Sequence, residues 1–225
     1  MNKDSLAFLG MLQANDSMFP IGQFTLSNGL ETFVLEERLS CDKDLSSYIQ
    51  SYLSICSYND VLIFLLAYTE DIKKLDEIAY ATKAPFEVRS GGSKLALRFT
   101  KMWKEIGAME YPLLMNYGEM LENGQARGVY AISVALYARD LGLAKEEAVK
   151  VFLYSQLSAM VTNAVKTVPL SQTKGQAVLN RALSKIDKVV EKAMKLTIED
   201  IGAGGCMFDI ECMRHEFLYS RQYMS

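Results

Sequence analysis

Side chains able to do acid–base or metal chemistry are scarce in this sequence, and the most suggestive of them gather near its C-terminus. His215 is the single histidine among 225 residues. That removes most histidine-dependent acid–base and nucleophilic schemes unless His215 is itself the site. It follows Cys206 and Cys212 in a C-x5-C-x2-H pattern, with Asp209 and Glu211 between them. Thiolates and an imidazole are the ligand types that hold zinc or nickel. The spacing matches no compact structural site, however, and no fourth ligand is assigned. The preferred reading of the same residues is tail side chains that simply pack or face solvent. Paired catalytic carboxylates, a dinucleotide fingerprint and a Walker A sequence are all missing. Gly91-Gly92-Ser93-Lys94 faintly resembles a phosphate-gripping turn, but it lacks the required spacing and reads as well as a helix irregularity. The expectation is a non-catalytic protein with no cofactor of its own.

Residues suited to recognition are easier to find. Lys94, Arg98 and Lys101 fall on one helical side, either a solvated face or a docking edge for an acidic partner. The terminal run Leu218 to Tyr223 combines tyrosine and arginine, which dominate protein–protein hot spots; it reads as docking within the chain or onto a partner. In Asn163 to Gln172, Lys166 complements the dipole at a helix end and Pro169 forces a corner. Taken alone, that segment is a capped helix–helix elbow. Asp16 to Phe33, DSMFPIGQFTLSNGLETF, concentrates turn chemistry and apolar anchors. Pro20 fixes its own φ, Gly22 permits a positive φ, and Asn28 and Glu31 stand at capping-box spacing. A hydrophobic plug leading into a helix is one reading, and an ordinary interhelical loop is the other.

Composition narrows the setting. Half the residues are hydrophobic and the net charge is −3, with a pI near 5.4. An acidic chain is a poor match for a nucleic-acid backbone. The four cysteines show no framework spacing and read as free thiols in a reducing compartment. No signal-peptide core is evident at the N-terminus. The longest apolar run, Val61 to Tyr68, has eight residues, against the ~20 that a membrane helix needs. A cytoplasmic protein without a membrane or nucleic-acid partner is expected.

The elements that would position these residues are helices throughout. Leu6, Leu9 and Leu12 mark a short first helix ending near Asn15-Asp16, and Leu30, Phe33 and Val34 a second. Leu45, Ile49, Tyr52, Leu53 and Cys56 form an amphipathic series entered at Cys41-Asp42. The run from Val61 continues helically through Ile72, Leu75, Ile78 and Ala79. Pro85 suits the first turn of a helix carrying Leu95, Phe99, Met102, Trp103 and Ile106, which Gly91-Gly92 weakens by ~1 kcal/mol each and could break. Gly107 closes it, and Pro112 opens the segment Leu113 to Leu121. Glu122-Asn123-Gly124 is a stop. Val129 to Leu141 is another apolar helix, with Gly142 at its C-cap. Ala144 to Val165 follows, carrying Val149, Phe152, Leu157 and Met160 on one face. After Pro169, Ser171 caps a last long helix from Val178 to Ala193. Ile201 to Cys206 is a glycine-rich hinge. The pattern predicts an all-α, single-domain helical bundle over 1–203, with a flexible C-terminal tail over 204–225.

Three segments, in order, resemble the urease accessory protein UreF family: DSMFPIGQFTLSNGLETFV, YSQLSAMVTNAVKTVPLSQTKGQ and HEFLYSRQYMS. The intervening APFEVRSGGSKLALRF is similar to that family's Pro-x-Glu-Leu-Arg helix. The resemblance spans essentially the whole chain. It implies an all-α homodimer, itself non-catalytic, that binds a UreD-type accessory protein (UreH in some systems) and a UreG-type GTPase. Together these deliver nickel to the urease apoprotein. It also implies that part of the C-terminal segment orders when the UreD-type partner binds. The partner-binding residues it points to are Lys166 and Gln172 at the elbow, Tyr219 and Arg221 in the tail, and Glu31 at the helix entry. Two departures stand out: Leu26 occupies a position where many members have His or Tyr, and Val129 one where others carry a histidine. Both argue against nickel being held through imidazoles of this subunit.

Overall fold

Alternation of apolar helix faces with Gly, Pro and Asn breaks folds the chain into twelve helices in the computed structural model, which describes residues 3–107 and 110–223. They are α1 Lys3–Ala14, α2 Leu30–Leu35, α3 Asp42–Cys56, α4 Asp60–Leu66, α5 Ile72–Thr82 and α6 Phe86–Ile106. After these come α7 Pro112–Glu122, α8 Tyr130–Asp140, α9 Lys145–Thr167, α10 Gln172–Leu183, α11 Ile186–Ala193 and α12 Cys206–His215. Among the described residues there is no strand, so the protein is all-α.

The hub is α8, which is buried all round from Tyr130 to Ala138, as a helix apolar on every side must be. Around it pack α4, α6, α7 and α9. An outer layer of α3, α10 and α11 leans on α9 and α4. Helix ends follow the local chemistry. Asp71 accepts from the Lys74 amide at 2.8 Å to start α5, and the Ser171 hydroxyl accepts from the Lys174 amide at 3.3 Å to start α10. Gly107 takes a left-handed φ of 61° to close α6, as the sequence leads one to expect.

Several elements depart from the sequence expectation. The apolar continuity from Val61 to Ala79 breaks into α4 and α5, because the Asp71 cap competes with helix propagation. The run from Val178 to Ala193 breaks at Ser184-Lys185, so α10 and α11 each turn their apolar residues inward. Conversely, α6 runs through Gly91-Gly92 without a break. Gly91 is there because Leu26 lies on it: a Cβ would come 2.6 Å from the Leu26 Cδ2 atom. That geometry also removes the phosphate-turn reading, since the amides of an unbroken helix are already bonded. In α1 the buried positions are Ala7, Met11 and Ala14, while Leu6, Phe8, Leu9 and Leu12 face outward.

The stretch Asp42–Leu66 is long and apolar enough by composition to cross a membrane. It is interrupted between α3 and α4, however, and 56% of its apolar window is buried inside the fold. It reads as core.

Candidate functional site

The site is assembled from the segment before α2. Phe19 and Ile21 are buried, and the Phe19 ring lies 5.4 Å from that of Trp103, stacked, and 5.7 Å from Phe99. The plug reading therefore describes the geometry. Gly22 has φ 84°, and the Arg98 guanidinium donates to the Ile21 carbonyl at 3.2 Å. That contact ties one member of the basic stripe to the turn, while Lys94 and Lys101 stay at the surface.

Asn28 and Gly29 both adopt left-handed backbone, with φ 52° and 78°. Gly29, not Asn28, is the N-cap of α2, and it makes no side-chain cap. The expected Asn28–Glu31 capping box is thus absent, because a left-handed Asn28 cannot aim its amide at the helix start. Gly29 is needed twice over: for its φ, and because α12 crosses it. A Cβ there would sit 3.3 Å from the Glu211 Cβ atom and 3.4 Å from the Cys212 nitrogen and Sγ.

Freed from capping, Glu31 turns to the C-terminal segment. It is 3% exposed. Its Oε2 faces His215 Nε2 at 2.9 Å. The same carboxylate accepts from the backbone N–H of Gln222 at 2.7 Å and of Tyr223 at 3.2 Å. On the other side of the imidazole, Nδ1 lies 2.6 Å from Glu87 Oε2, and Arg221 donates to Glu87 Oε1 at 2.7 Å. His215 is wholly buried. Both ring nitrogens face carboxylate oxygens.

Further contacts hold α12. Thr32 Oγ1 donates to the Glu211 carbonyl at 2.9 Å. The Glu211 carboxylate pairs with Arg38 and Arg214, and Arg214 also pairs with Glu36. The Arg38 guanidinium lies 4.2 Å from the Phe33 ring centroid. The elbow joins through Asn163, whose side-chain amide donates to the carbonyls of Phe24 at 3.1 Å and Leu26 at 3.2 Å. The Tyr223 hydroxyl donates to the Asn163 carbonyl at 3.5 Å and lies 3.4 Å from Thr167 Oγ1.

The three segments that carry the family resemblance therefore meet at one place in the fold, although they are far apart in the chain. A family model described as UreF matches residues 39–183. The chain belongs to the UreF family. It is 34% identical over 223 residues to the urease accessory protein UreF of Actinobacillus pleuropneumoniae serotype 5b, covering 96% of this chain and 97% of the relative. To the urease accessory protein UreF of Haemophilus influenzae Rd it is 34% identical over 230 residues, 98% and 97% of the two chains. That of Streptococcus thermophilus is 31% identical over 226 residues, with 97% and 94% covered. These full-length likenesses take in Glu31 and the C-terminal segment of this UreF-family chain, both of which lie outside residues 39–183.

The residues selected from sequence fall into two groups. Glu31 and Arg221 are brought together, through His215 and Glu87. Lys166, Gln172 and Tyr219 are exposed and do not join this cluster. Of the metal-ligand candidates, Cys206 is exposed at the start of α12, Cys212 is buried against Gly29, and His215 has both nitrogens engaged. Burial pushes the Cys212 thiol up to about 12, far from the thiolate a metal would require. Among the described residues no group of three His, Cys, Asp or Glu side chains is placed to hold a metal. Leu26 and Val129 serve packing: one rests on Gly91, and the other is buried at the start of α8. Sequence reasoning missed Glu87 and Tyr223. Glu87 was legible in the Pro85-Phe86-Glu87 stretch; Tyr223 gave no signal beyond its tail composition.

Proposed function

We propose that this chain is a non-catalytic assembly subunit of urease maturation. In this reading it works in the cytoplasm as a homodimer. It binds a UreD/UreH-type accessory protein through the 204–225 segment and recruits a UreG-type GTPase, influencing its nucleotide cycle while nickel passes to the urease apoprotein. The observation that carries the reading is the docked C-terminal segment, seated on the fold by Phe208 against Phe33, Tyr48 and Tyr52 and by buried polar contacts, with further apolar side chains left facing outward. Inward, it is held by Glu31, Glu87 and Arg38. Outward, α12 and the residues after it present Met207, Ile210, Met213, Phe217 and Tyr219, with Phe217 86% exposed. Methionine, aromatic and arginine side chains grouped on an exposed surface are the composition of an adaptable protein interface. Arg221, half exposed beside an open cleft of about 380 Å³ lined by Phe86, Ser90 and Lys94, is placed to accept an acidic group of a partner. Lys166 and Gln172, both exposed at the elbow, are the second contact surface in this reading.

The test is to mix the purified chain with UreD-type and UreG-type partners and measure complex masses by light scattering. The wild type is compared with Lys166→Ala and with a chain ending at Gly205. A ternary complex lost in the shortened chain and weakened in Lys166→Ala is the expected result. Undiminished assembly by the shortened chain would overturn the assignment of its docking segment. Absence of any complex, with or without GTP and nickel, would overturn the function itself.

A further inference from the structure

The chain is acidic overall, yet one strip of its surface is not. Residues 172–196, which hold α10, α11 and the turns beside them, carry six cationic side chains and two carboxylates, against a net charge of −3 for the whole chain. Lys174, Arg181, Lys185, Lys188, Lys192 and Lys195 are all exposed. From Arg181 onward they recur at intervals of four, three, four and three residues, the spacing that keeps side chains on one side of a helix. The short break at Ser184-Lys185 does not scatter them, because α10 and α11 both lean on α3. Lys174 Nζ lies 3.3 Å from Asp42 Oδ1 at the start of α3, and Lys185 donates to Gln50 Oε1 at 3.0 Å in its middle. Lys192 Nζ stands 4.2 Å from the Tyr58 ring centroid, just past the end of α3. Asp42, Gln50 and Tyr58 follow one another at eight-residue steps, so the cations run beside α3 for its whole length, roughly 24 Å at 1.5 Å per residue.

Little in the fold neutralises this ridge. Asp42 sits at one end and is taken by Lys174, and Asp187 is taken by Lys150 at 3.0 Å. Gln50 and Tyr58 offer a dipole and a ring face, but no charge. Among the described residues Lys188 and Lys195 form no ion pair. Asp187 and Glu191 stand off the line, about 100° or more round α11 from Lys192. The surface is therefore a basic row with an acidic edge. A uniform polyanion fits that poorly, since a nucleic-acid strand or an anionic bilayer would bring phosphates against Asp187 and Glu191 as well. The row has one arginine for forked phosphate contacts, and Lys192 already covers the Tyr58 face on which a base would stack. The apolar side chains Ile186, Val189, Val190 and Ala193 point into the core and are not available to a membrane. A protein helix does fit. Carboxylates at i, i+4, i+7 and i+11 repeat at the spacing of the cations themselves, and a basic side chain beside them would meet Glu191.

We propose that the α10–α11 ridge is a docking site for an acidic α-helix of a partner protein, laid along α3 with its carboxylates facing Arg181, Lys185, Lys188 and Lys192. Exposed charges of this kind steer encounter and set register more than they add affinity, so the contact is fast and sensitive to salt. The ridge is a surface separate from the C-terminal segment, which is seated on α2 and α6. It requires none of the partners named for urease maturation, and its test uses none of them, so either reading can fail alone.

The probe is a stapled, alanine-rich helical peptide with glutamates at i, i+4, i+7 and i+11, set against an isomer whose four glutamates are spread round the helix. Binding to the full chain is read by fluorescence anisotropy at low salt and again at physiological salt. At low salt the aligned peptide should bind at least about ten times more tightly than its isomer, and most of that advantage should vanish at physiological salt. Combining Lys185→Gln, Lys188→Gln and Lys192→Gln should abolish the difference. Lys94→Gln with Lys101→Gln, which removes two surface cations of α6, should leave it intact. Should the triple variant lose its helical circular dichroism, Lys188→Glu with Lys195→Glu takes its place, since those two lysines form no ion pair among the described residues. Equal binding of the two peptides, no binding of either, or a preference retained in the variant would overturn the proposal. A short single-stranded oligothymidine and vesicles containing phosphatidylglycerol are measured alongside. Tighter binding of either one than of the aligned peptide would take the ridge away from a protein helix.

Discussion

Glu31 and His215 are 184 residues apart in sequence and 2.9 Å apart in the fold. One sits in the first turn of α2, the other at the last residue of α12. The contact joins the turn segment near the N-terminus to the C-terminal segment, and it does so with buried polar groups. Buried polar contacts give up their stabilisation abruptly when one partner is removed, because the other is left desolvated and unmatched. A segment attached in this way either stays docked or leaves as a unit.

Removing the Glu31 carboxylate should therefore release α12 and the tail while leaving the bundle folded. Cysteine reactivity can report this. Cys206 is exposed, Cys56 and Cys212 are buried, and the Cys212 thiol, pushed up to about 12, stays neutral at all ordinary pH while docked. Only an opened segment gives Cys212 an ordinary thiol, so its labelling at about pH 8 measures opening. In the wild type a thiol reagent should modify Cys206 promptly and Cys212 slowly. In Glu31→Ala, Cys212 should react at least ten times faster, with Cys56 still protected and the helical circular dichroism retained. Equal Cys212 rates in the two chains would show that the carboxylate does not hold the segment.

Gly29 should resist substitution for two separable reasons. Its φ of 78° strains any L side chain, at roughly 1–2 kcal/mol. Its Cβ would also press on Glu211 and on the backbone of Cys212. Gly29→Ala should lower stability to urea by about that strain and, in addition, speed labelling of Cys212. A chain that loses stability without faster labelling would mean the strain is absorbed in α2 and α12 does not move.

Much of the fold was legible because its signals are local. The series Leu45, Ile49, Tyr52, Leu53 and Cys56 is buried as its spacing predicts, and the caps at Gly107, Pro112 and Ser171 act where expected. The interruptions after α4 and α10 were hidden, since apolar periodicity carries through a short turn unaltered. The site was legible only in parts. Glu31, Arg221 and His215 each stood out by type or by family likeness, but nothing local says that they meet. Glu31 looked like the partner of Asn28, three residues away; the left-handed backbone at Asn28 and Gly29 hands it to a histidine at the far end of the chain. Long-range pairing overrides a local rule there.

A buried carboxylate that sequence did not single out should matter for folding alone. Asp76, wholly buried on α5, accepts from the Tyr117 hydroxyl and from the amides of Arg127 at 2.6 Å and Gly128 at 3.0 Å. The Tyr117 oxygen in turn accepts from the Val129 amide at 2.8 Å. The loop entering α8, the central helix, is built on this carboxylate. Asp76→Ala leaves three donors without an acceptor and should cost about 3 kcal/mol or more, read as a lowered urea midpoint. Asp76→Asn keeps one acceptor oxygen and should lose less. A midpoint unchanged in Asp76→Ala would show that water replaces the side chain.

The adjacent glycines of α6 make a paired test of why that helix does not break. Both lie mid-helix, where glycine costs about 0.8–1 kcal/mol relative to alanine. Gly92 has nothing within 4 Å of the place a Cβ would occupy. Gly92→Ala should therefore gain about that amount, raising the urea midpoint with no other change. Gly91 is different, because a Cβ would meet Leu26 Cδ2 at 2.6 Å. Leu26 is held in a segment whose backbone carbonyls are bonded to Asn163, so its side chain must swing away rather than the loop withdraw. The helix-propensity gain is then offset by lost packing, and Gly91→Ala should be neutral or destabilising. Opposite signs at two neighbouring positions would place the reason for Gly91 in the plug segment resting on α6. If both substitutions stabilise, Leu26 is free to move and the contact constrains nothing.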